Sequence, residues 1–597
     1  VSNEQKISGK TFDMVVFKRI LKQAKVYKWP YILTGFLAIL LSFLASARPL
    51  LLIEAVNQYI APKEEQGLLM LILLMFGLLI VEVLFQFGFV YMANWLGQNV
   101  IKDLRKKIFE HILHFRMAYF DHSSVGRLVT RVVTDLETIA EFFSQGLFMI
   151  VGDLLKMLVV IVVMFVVDWR LSLITLSVLP FLILATRMFQ KGIKTSFQEV
   201  RKQVANLNSF VQERISGMSV IQLFTREKIE YEKFKEINND YKKAYISAIW
   251  YYSIFFPITD LLSSMAIGLI VWYGGLQAAV NTSVQPGEII GFIMMTQMLF
   301  RPLRQIADKI NTLQMGIVAG ERIFNVLDTE DRTSRTGTLS AENIQGKVRF
   351  EKVFFSYVAN EPVLKGVSFE VQPGEKLAIV GATGAGKSTI INLVNRFYDI
   401  EQGSIKIDGV DLKDYELSSL RSHIAVVLQD VFLFSDSILN NITLKNEAIT
   451  PEMVEKAAQA IGVDSFIETL PERYLYQVKE RGAVLSTGQR QLIAFLRAYV
   501  SNPRILILDE ATSSVDSQSE QMIQKALEKL TENRTSIIIA HRLATIQKAD
   551  RILVMDQGQI VEQGTHQTLL EMENGVYRNL YEKQFLNADS HNSINFF

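Results

Sequence analysis

KLAIVGATGAGKSTIINLV, residues 376–394, decides the reading of this chain. A β-branched run leads into Gly381-Ala382-Thr383-Gly384-Ala385-Gly386-Lys387-Ser388-Thr389 and on into a helical pattern, which is the phosphate-loop spacing in its required strand–loop–helix context. Glycines let backbone N–H groups converge on phosphates, and the helix start adds a favourable dipole. Lys387 offers a positive charge and Ser388 a hydroxyl for Mg²⁺. Outward from it, VRFEKVFF, SIKID, IAVVLQ, TSIIIAH and RILVMD alternate with amphipathic stretches, so residues 347–585 read as an α/β domain on a largely parallel sheet. RILILDE puts Asp509 and Glu510 at the carboxyl end of one strand, where crevices of open α/β sheets form. Asp509 suits the metal, directly or through water. Glu510 suits an attacking water, as general base or positioning group.

The amino-terminal half has a different texture. YILTGFLAILLSFLASARPLLLI (31–53) is long enough to cross about 30 Å of hydrocarbon at about 1.5 Å per residue. Similar runs lie near 67–91, 147–167, 171–189, 250–273 and 288–300. Lys18, Arg19, Lys22, Lys25, Lys28 and the cluster Lys102, Arg105, Lys106, Lys107, Arg116, Arg127, Arg131 crowd one set of connections. The other set carries only Lys63 and Arg170. The positive-inside rule then expects a multi-pass protein of the cytoplasmic membrane, with both termini and the nucleotide-binding domain in the cytoplasm. The polar opening VSNEQKISGKTFD has no apolar export-signal core, in keeping with a cytosolic start. The two long inner segments read as helices continuing beyond the membrane to turns near 120–126 and 217–227. Residues 1–30 are thus a cytoplasmic segment, 31–328 a six-helix transmembrane domain with long cytosolic extensions, 329–346 a polar linker, and 586–597 a disordered tail.

The chain has 597 residues, with 62 Lys and Arg against 61 Asp and Glu and no cysteine. The balanced charge argues against a nucleic-acid partner. The missing cysteine excludes disulfides, thiolate metal sites and cysteine nucleophiles.

LSTGQRQ, residues 485–491, resembles the signature of the ATP-binding cassette (ABC) superfamily, usually LSGGQ, from which it departs at Thr487. Other positions match the family one by one. Tyr357 in FSY would stack on adenine, and Gln429 in VVLQD would sense Mg²⁺ and couple to the membrane part. Asp516 in SSVD belongs to the nucleotide site, and His541 in IIAHR would touch the γ-phosphate, as would Ser486 and Gly488, with Gln489 beside them. ERG at 480–482 resembles the exporter-specific loop that touches the partner's membrane helices. Taken whole, the chain is similar to an exporter half-transporter of the type IV, subfamily B kind, the group of bacterial multidrug exporters and lipid A flippases. The resemblance implies an all-α membrane domain fused to a P-loop cassette. It further implies ATP and Mg²⁺ as cofactors, catalysis by Glu510, His541 and Gln429, and metal binding by Ser388, Gln429 and Asp509. It also implies alternating access by two chains, each ATP held between one chain's phosphate loop and the other's signature. A homodimer is favoured, with a heterodimer left open by Thr487. The first inner turn would touch both cassettes and the second the partner's, in a groove near Gln429. The substrate would be a hydrophobic small molecule or a lipid. An ATPase of chromosome maintenance would lack the spans, an importer would keep its cassette on a separate chain, and a gated channel would need a regulatory insertion.

Within the spans, Arg48, Glu82, Asp153, Lys156 and Asp260 suggest either a polar route or internal pairs. The aromatics of WYYSIFF (250–256) suit an apolar ligand or a membrane-interface belt equally.

Overall fold

The computed structural model describes residues 13–280, 284–331, 333, 337–509, 517–540 and 542–582. Two compact units emerge: residues 1–113 with 124–330, and residues 114–123 with 331–597.

In the first unit, α1 (Met14–Ala24) begins where the Asp13 carboxylate accepts from the N–H groups of Val15 and Val16. It is followed by α2 (Lys28–Glu54) and α3 (Glu65–Leu113). The short helix α4 (Met117–His122) falls in the second unit. Then come α5 (Phe148–Val167), α6 (Trp169–Ser177), α7 (Leu179–Ser216), α8 (Met218–Leu223), α9 (Glu227–Val280) and α10 (Pro286–Asp328). The tight turn between α5 and α6 is made by Asp168, whose side chain caps α6 by accepting from Arg170 and Leu171 N–H at 2.7 and 2.8 Å. Helix α10 starts with Pro286 inside a capping box formed by Gln285 and Glu288, which satisfies otherwise orphaned backbone groups.

Among the described residues, five helical runs are long and apolar enough to cross a membrane by length and composition: Met14–Ile60, Gly67–Leu113, Val125–Val167, Trp169–Ser216 and Glu227–Ala279. The sixth expected span, 288–300, lies in α10 but falls short of the other five. Gln297 interrupts its apolar face and Arg301 and Arg304 follow it directly. Its Phe292, Met295, Leu299 and Phe300 are nonetheless buried, packed with Val160, Met164 and Ile270 in one cluster and Val178, Leu182 and Ala266 in another. Beyond their apolar sections α7 and α9 run on as a long pair. Where they approach, Phe255 stacks on Phe189 at 4.1 Å, so part of the 250–256 aromatic run serves helix packing.

Among the described residues, the second unit holds two sheets. One is antiparallel, with order β2-β1-β4-β5, from β1 (Val348–Ser356), β2 (Pro362–Val371), β4 (Gln402–Ile407) and β5 (Val410–Asp411). The other has order β10-β9-β3-β8-β7-β6, with β3 (Lys376–Gly381), β6 (Ile424–Val427), β7 (Ile505–Asp509), β8 (Thr535–Ile539), β9 (Arg551–Asp556) and β10 (Gln559–Gly564). All its pairings are parallel except β10 on β9. Leu377–Val380, Ile505–Leu508 and Ile537–Ile539 are buried along continuous apolar runs, as strands covered on both faces must be.

The stretch expected as a free linker, 329–346, is built into this unit from residue 337. Thr338 and Leu339 N–H donate to the Asp414 carbonyl at 3.0 Å, and Ala341 and Ile344 are buried in the core. Its polar composition masked two apolar anchors. The expected disordered tail lies outside the described residues.

Candidate functional site

Parallel register sets the site. Gly381 ends β3 opposite Met555, and Asp509 ends β7 opposite Ile539, so both close on the carboxyl edge of one sheet. From Gly381 the chain turns through the phosphate loop into α11 (Lys387–Val394). Gly386 caps that helix at φ +98°, a left-handed conformation that side chains disfavour, and a Cβ there would also meet Leu364 at 2.8 Å. Lys387 is only 8 % exposed, and its ammonium donates to the Gly381 and Ala382 carbonyls at 2.7 and 2.9 Å, which holds it across the loop. Burial pushes this lysine's pKa down while the Asp509 charge opposes the shift. Ser388 Oγ donates to Asp509 Oδ2 at 3.4 Å.

Tyr357 lies beside α11. Its hydroxyl accepts from Asn392 Nδ2 at 2.9 Å and donates to Thr389 Oγ1 at 3.3 Å. Phe355 and Tyr398 meet its ring edge-on, at centroid distances of 4.8 and 5.1 Å. The ring is therefore held rigidly near the loop while remaining 38 % exposed. Asn392, absent from the sequence reading, supplies that anchor. Its signal was the i, i+3 spacing from Thr389, which puts both on one face of a helix.

Ser486 is the N-cap of α12 (Thr487–Val500). Its hydroxyl accepts from Gln489 N–H at 3.2 Å, and Gln489 Oε1 accepts from Ser486 N–H at 2.9 Å. The Gln489 side chain, expected at the nucleotide, is thus engaged in a capping box. Gly488 is buried in the first turn, and the departing Thr487 accepts from Arg490 Nη2 at 3.2 Å. Gln429 is exposed and lines a cavity with Val431, Phe432, Arg481, Thr487 and Arg490. No hydrogen bond joins it to Ser388 or Asp509 among the described residues. Three expected site residues, Glu510, Asp516 and His541, lie outside the described residues.

The first inner turn was expected at the groove near Gln429. Within its own unit α4 instead lines a cavity with Phe355, Tyr357, Asn392, Phe397 and Tyr398. Asp121 of α4 accepts a hydrogen bond from the Tyr398 hydroxyl. Burial and that bond push the Tyr398 phenol well above its usual range, so it stays a neutral donor. Arg116, just before α4, pairs with Asp331 and approaches Asp399 at 4.0 Å. Complementary charge, invisible along the sequence, selects this seat.

A strand-loop-helix phosphate cradle facing a strand-end aspartate, on a chain with long apolar helices, defines a membrane ATPase. Residues 31–303 match the ABC transporter transmembrane region and residues 364–513 the ABC transporter family. The chain belongs to the ABC transporters and is an ATPase coupled to transmembrane transport, of the exporter type. It is 36 % identical over 589 residues to the uncharacterised ABC transporter ATP-binding protein YknV of Bacillus subtilis, covering 98 % of this chain and 97 % of that one. It is 34 % identical over 582 residues to YgaD of the same organism, provisionally named a multidrug export ATP-binding/permease protein, covering 96 % and 100 %. The ATP-dependent lipid A-core flippase of Haemophilus influenzae is 34 % identical over 585 residues, covering 98 % and 99 %.

Proposed function

We propose that two copies of this chain form an ATP-driven exporter or flippase of the cytoplasmic membrane, moving a hydrophobic or amphipathic drug or lipid by alternating access, with the cassettes in the cytoplasm. The observation that carries this reading is the meeting of Ser388 and Asp509 at the sheet edge of a chain that also contains the apolar helices. Ser388 and Asp509 offer hard oxygen donors of the kind Mg²⁺ accepts. When bound, that ion would neutralise charge developing on the phosphates. Lys387 and the loop N–H groups bind and orient the phosphates, Tyr357 the base, and Glu510 the water. Gln429 would sense Mg²⁺ and couple to the membrane part, and His541 would touch the γ-phosphate.

The deciding experiment is reconstitution of the purified chain in proteoliposomes with a fluorescent lipid and a panel of cationic drugs. ATP-dependent, vanadate-sensitive movement of at least one of them is expected. Hydrolysis with no movement of any would remove the transport reading. A chain that is monomeric and inert until a different chain is added would replace the homodimer by a heterodimer.

Two further outcomes follow. Tyr357→Ala should weaken ATP binding about 5- to 100-fold, the range of base–aromatic stacking, whereas Tyr357→Phe should retain most of it. Equal affinity in the alanine variant would remove the stacking role. Phe224, beyond α8, is 72 % exposed, as a side chain held ready for another surface would be. Phe224→Ala should leave ATP hydrolysis near normal and reduce transport per ATP several-fold, as expected of a contact that transmits force; so should Phe120→Ala, though Phe120 packs edge-on to Tyr119. Loss of expression in either variant would assign that residue to helix packing instead.

A further inference from the structure

Three of the acids within the apolar spans are paired: Asp260 with Arg304, Glu82 with Arg48 at 2.9 Å, and Asp153 with Lys309. The last two pairs share one cavity with Lys156 and Arg301. A fourth acid, Asp135, precedes the expected span 147–167 and is only 5 % exposed. It ends a wide π-type turn, Arg131–Asp135, in the helical run Val125–Val167, and a second such turn follows at Phe142–Leu147. Turns of this kind interrupt the regular hydrogen-bond ladder and are frequent at functional sites.

The first turn is tied to two other helices. One Asp135 oxygen accepts from Arg131 at 2.5 Å, and the other meets Arg322 of α10 at 3.5 Å. From α3, Arg105 donates to the Val132 carbonyl inside the turn at 3.3 Å and to Glu137 just beyond it at 2.9 Å. These three elements are the ones that carry the chain between the two units, which it does after Leu113, after Ser123 and after Glu330. Apolar packing already fixes the region. Leu136, Ile139, Phe142 and Phe143 are fully buried, and a Cβ on Gly316 of α10 would meet Phe142 at 2.5 Å. A buried ion pair adds little to that, since taking a carboxylate out of water costs about as much as its partners return. What the charges add is a choice of which connection is bound to which.

We propose that Asp135 is a positioning residue for transport: through Arg322 it binds α10 to the run Val125–Val167, so that cassette motion arriving by separate connections reaches the outer ends of the helices as one movement. Coupling needs a contact with two arrangements, and one between a buried acid and a partly exposed arginine is made or released at small cost. The proposal rests on the alternating-access reading and names a link that reading requires.

The test uses the full-length dimer in nanodiscs. The chain has no cysteine, so one introduced cysteine carries a spin label without background. Glu64→Cys reports the distance between the two copies at the turn joining α2 and α3, and Lys525→Cys the distance between their cassettes; both positions are exposed. ATP with vanadate should change both distances in the parent. In Arg322→Gln the cassette pair should still respond, while the population with a changed Glu64→Cys distance should fall at least about fivefold, the lower end of coupling between sites. Arg322→Lys should restore it, because a single contact needs the charge rather than the planar fork. Asp135→Asn should act like Arg322→Gln, and the double variant should be no worse than either, as two members of one contact require. Normal movement of both pairs in Arg322→Gln, failure of lysine to restore it, or additive losses in the double variant would overturn the proposal. So would loss of both movements with a lowered melting temperature, the mark of a packing role. Should Asp135→Asn not fold, the two Arg322 variants decide. A parent whose cassette pair responds while its Glu64→Cys distance stays fixed strikes the alternating-access reading instead, a result seen without any change at Asp135 or Arg322.

Discussion

ATP turnover in the Glu510→Gln variant is expected to fall by about 10²- to 10⁴-fold while ATP still binds, the range for loss of a general base. Strand β7 is wedged between β6 and β8, and its Ile505, Leu506, Ile507 and Leu508 are at most 2 % exposed. A strand so held delivers its last residue, Asp509, to Ser388 without freedom to slip, since a one-residue shift would turn every side chain to the other face. Glu510 is the next residue in the sequence. Glutamine keeps its size and hydrogen-bonding capacity but cannot take a proton from water. Phosphate release and equilibrium nucleotide binding, measured on the same preparation, separate the two functions. Turnover within threefold of the parent would remove Glu510 from the role and shift attention to His541.

Lys387→Ala is expected to act one step earlier, weakening ATP binding by about 10- to 100-fold, because a charge-assisted contact to the phosphates is worth roughly 1.5–3 kcal/mol. The lysine is buried, and its ammonium is the donor to two loop carbonyls, so the change removes both the charge and the brace that shapes the loop. Lys387→Arg should not restore affinity, since a planar guanidinium does not fit a pocket shaped around a slim ammonium. Nucleotide titration and thermal melting with and without ATP check this. Unchanged affinity together with unchanged turnover would sink the assignment.

Some of this site was legible from residues 376–394 and 504–510 alone. A phosphate loop is contiguous, and an acid at a strand end announces itself by following four apolar residues. The α10 span was harder to read, because Gln297, Arg301 and Arg304 dilute its hydropathy while its packing against α5 and α9 does not depend on average composition. Gln489 carries a role the sequence did not show: a glutamine three residues after a serine suits a ligand contact and a capping box, and the backbone geometry shows the capping box. Residues 337–346 looked like a linker because burial of Ala341 and Ile344 depends on partners supplied by strands far along the chain.

By itself the sequence determined that this is a membrane chain with an ATP-binding cassette, since span length, strand texture and loop spacing are properties of neighbouring residues. Tertiary structure alone decided the rest. Ser388 meets Asp509 across 121 positions, Tyr398 meets Asp121 across 277, and Lys309 meets Asp153 across 156. Whether a charge within an apolar helix is paired, and which cations share one cavity, depends on distances in space that no local pattern encodes.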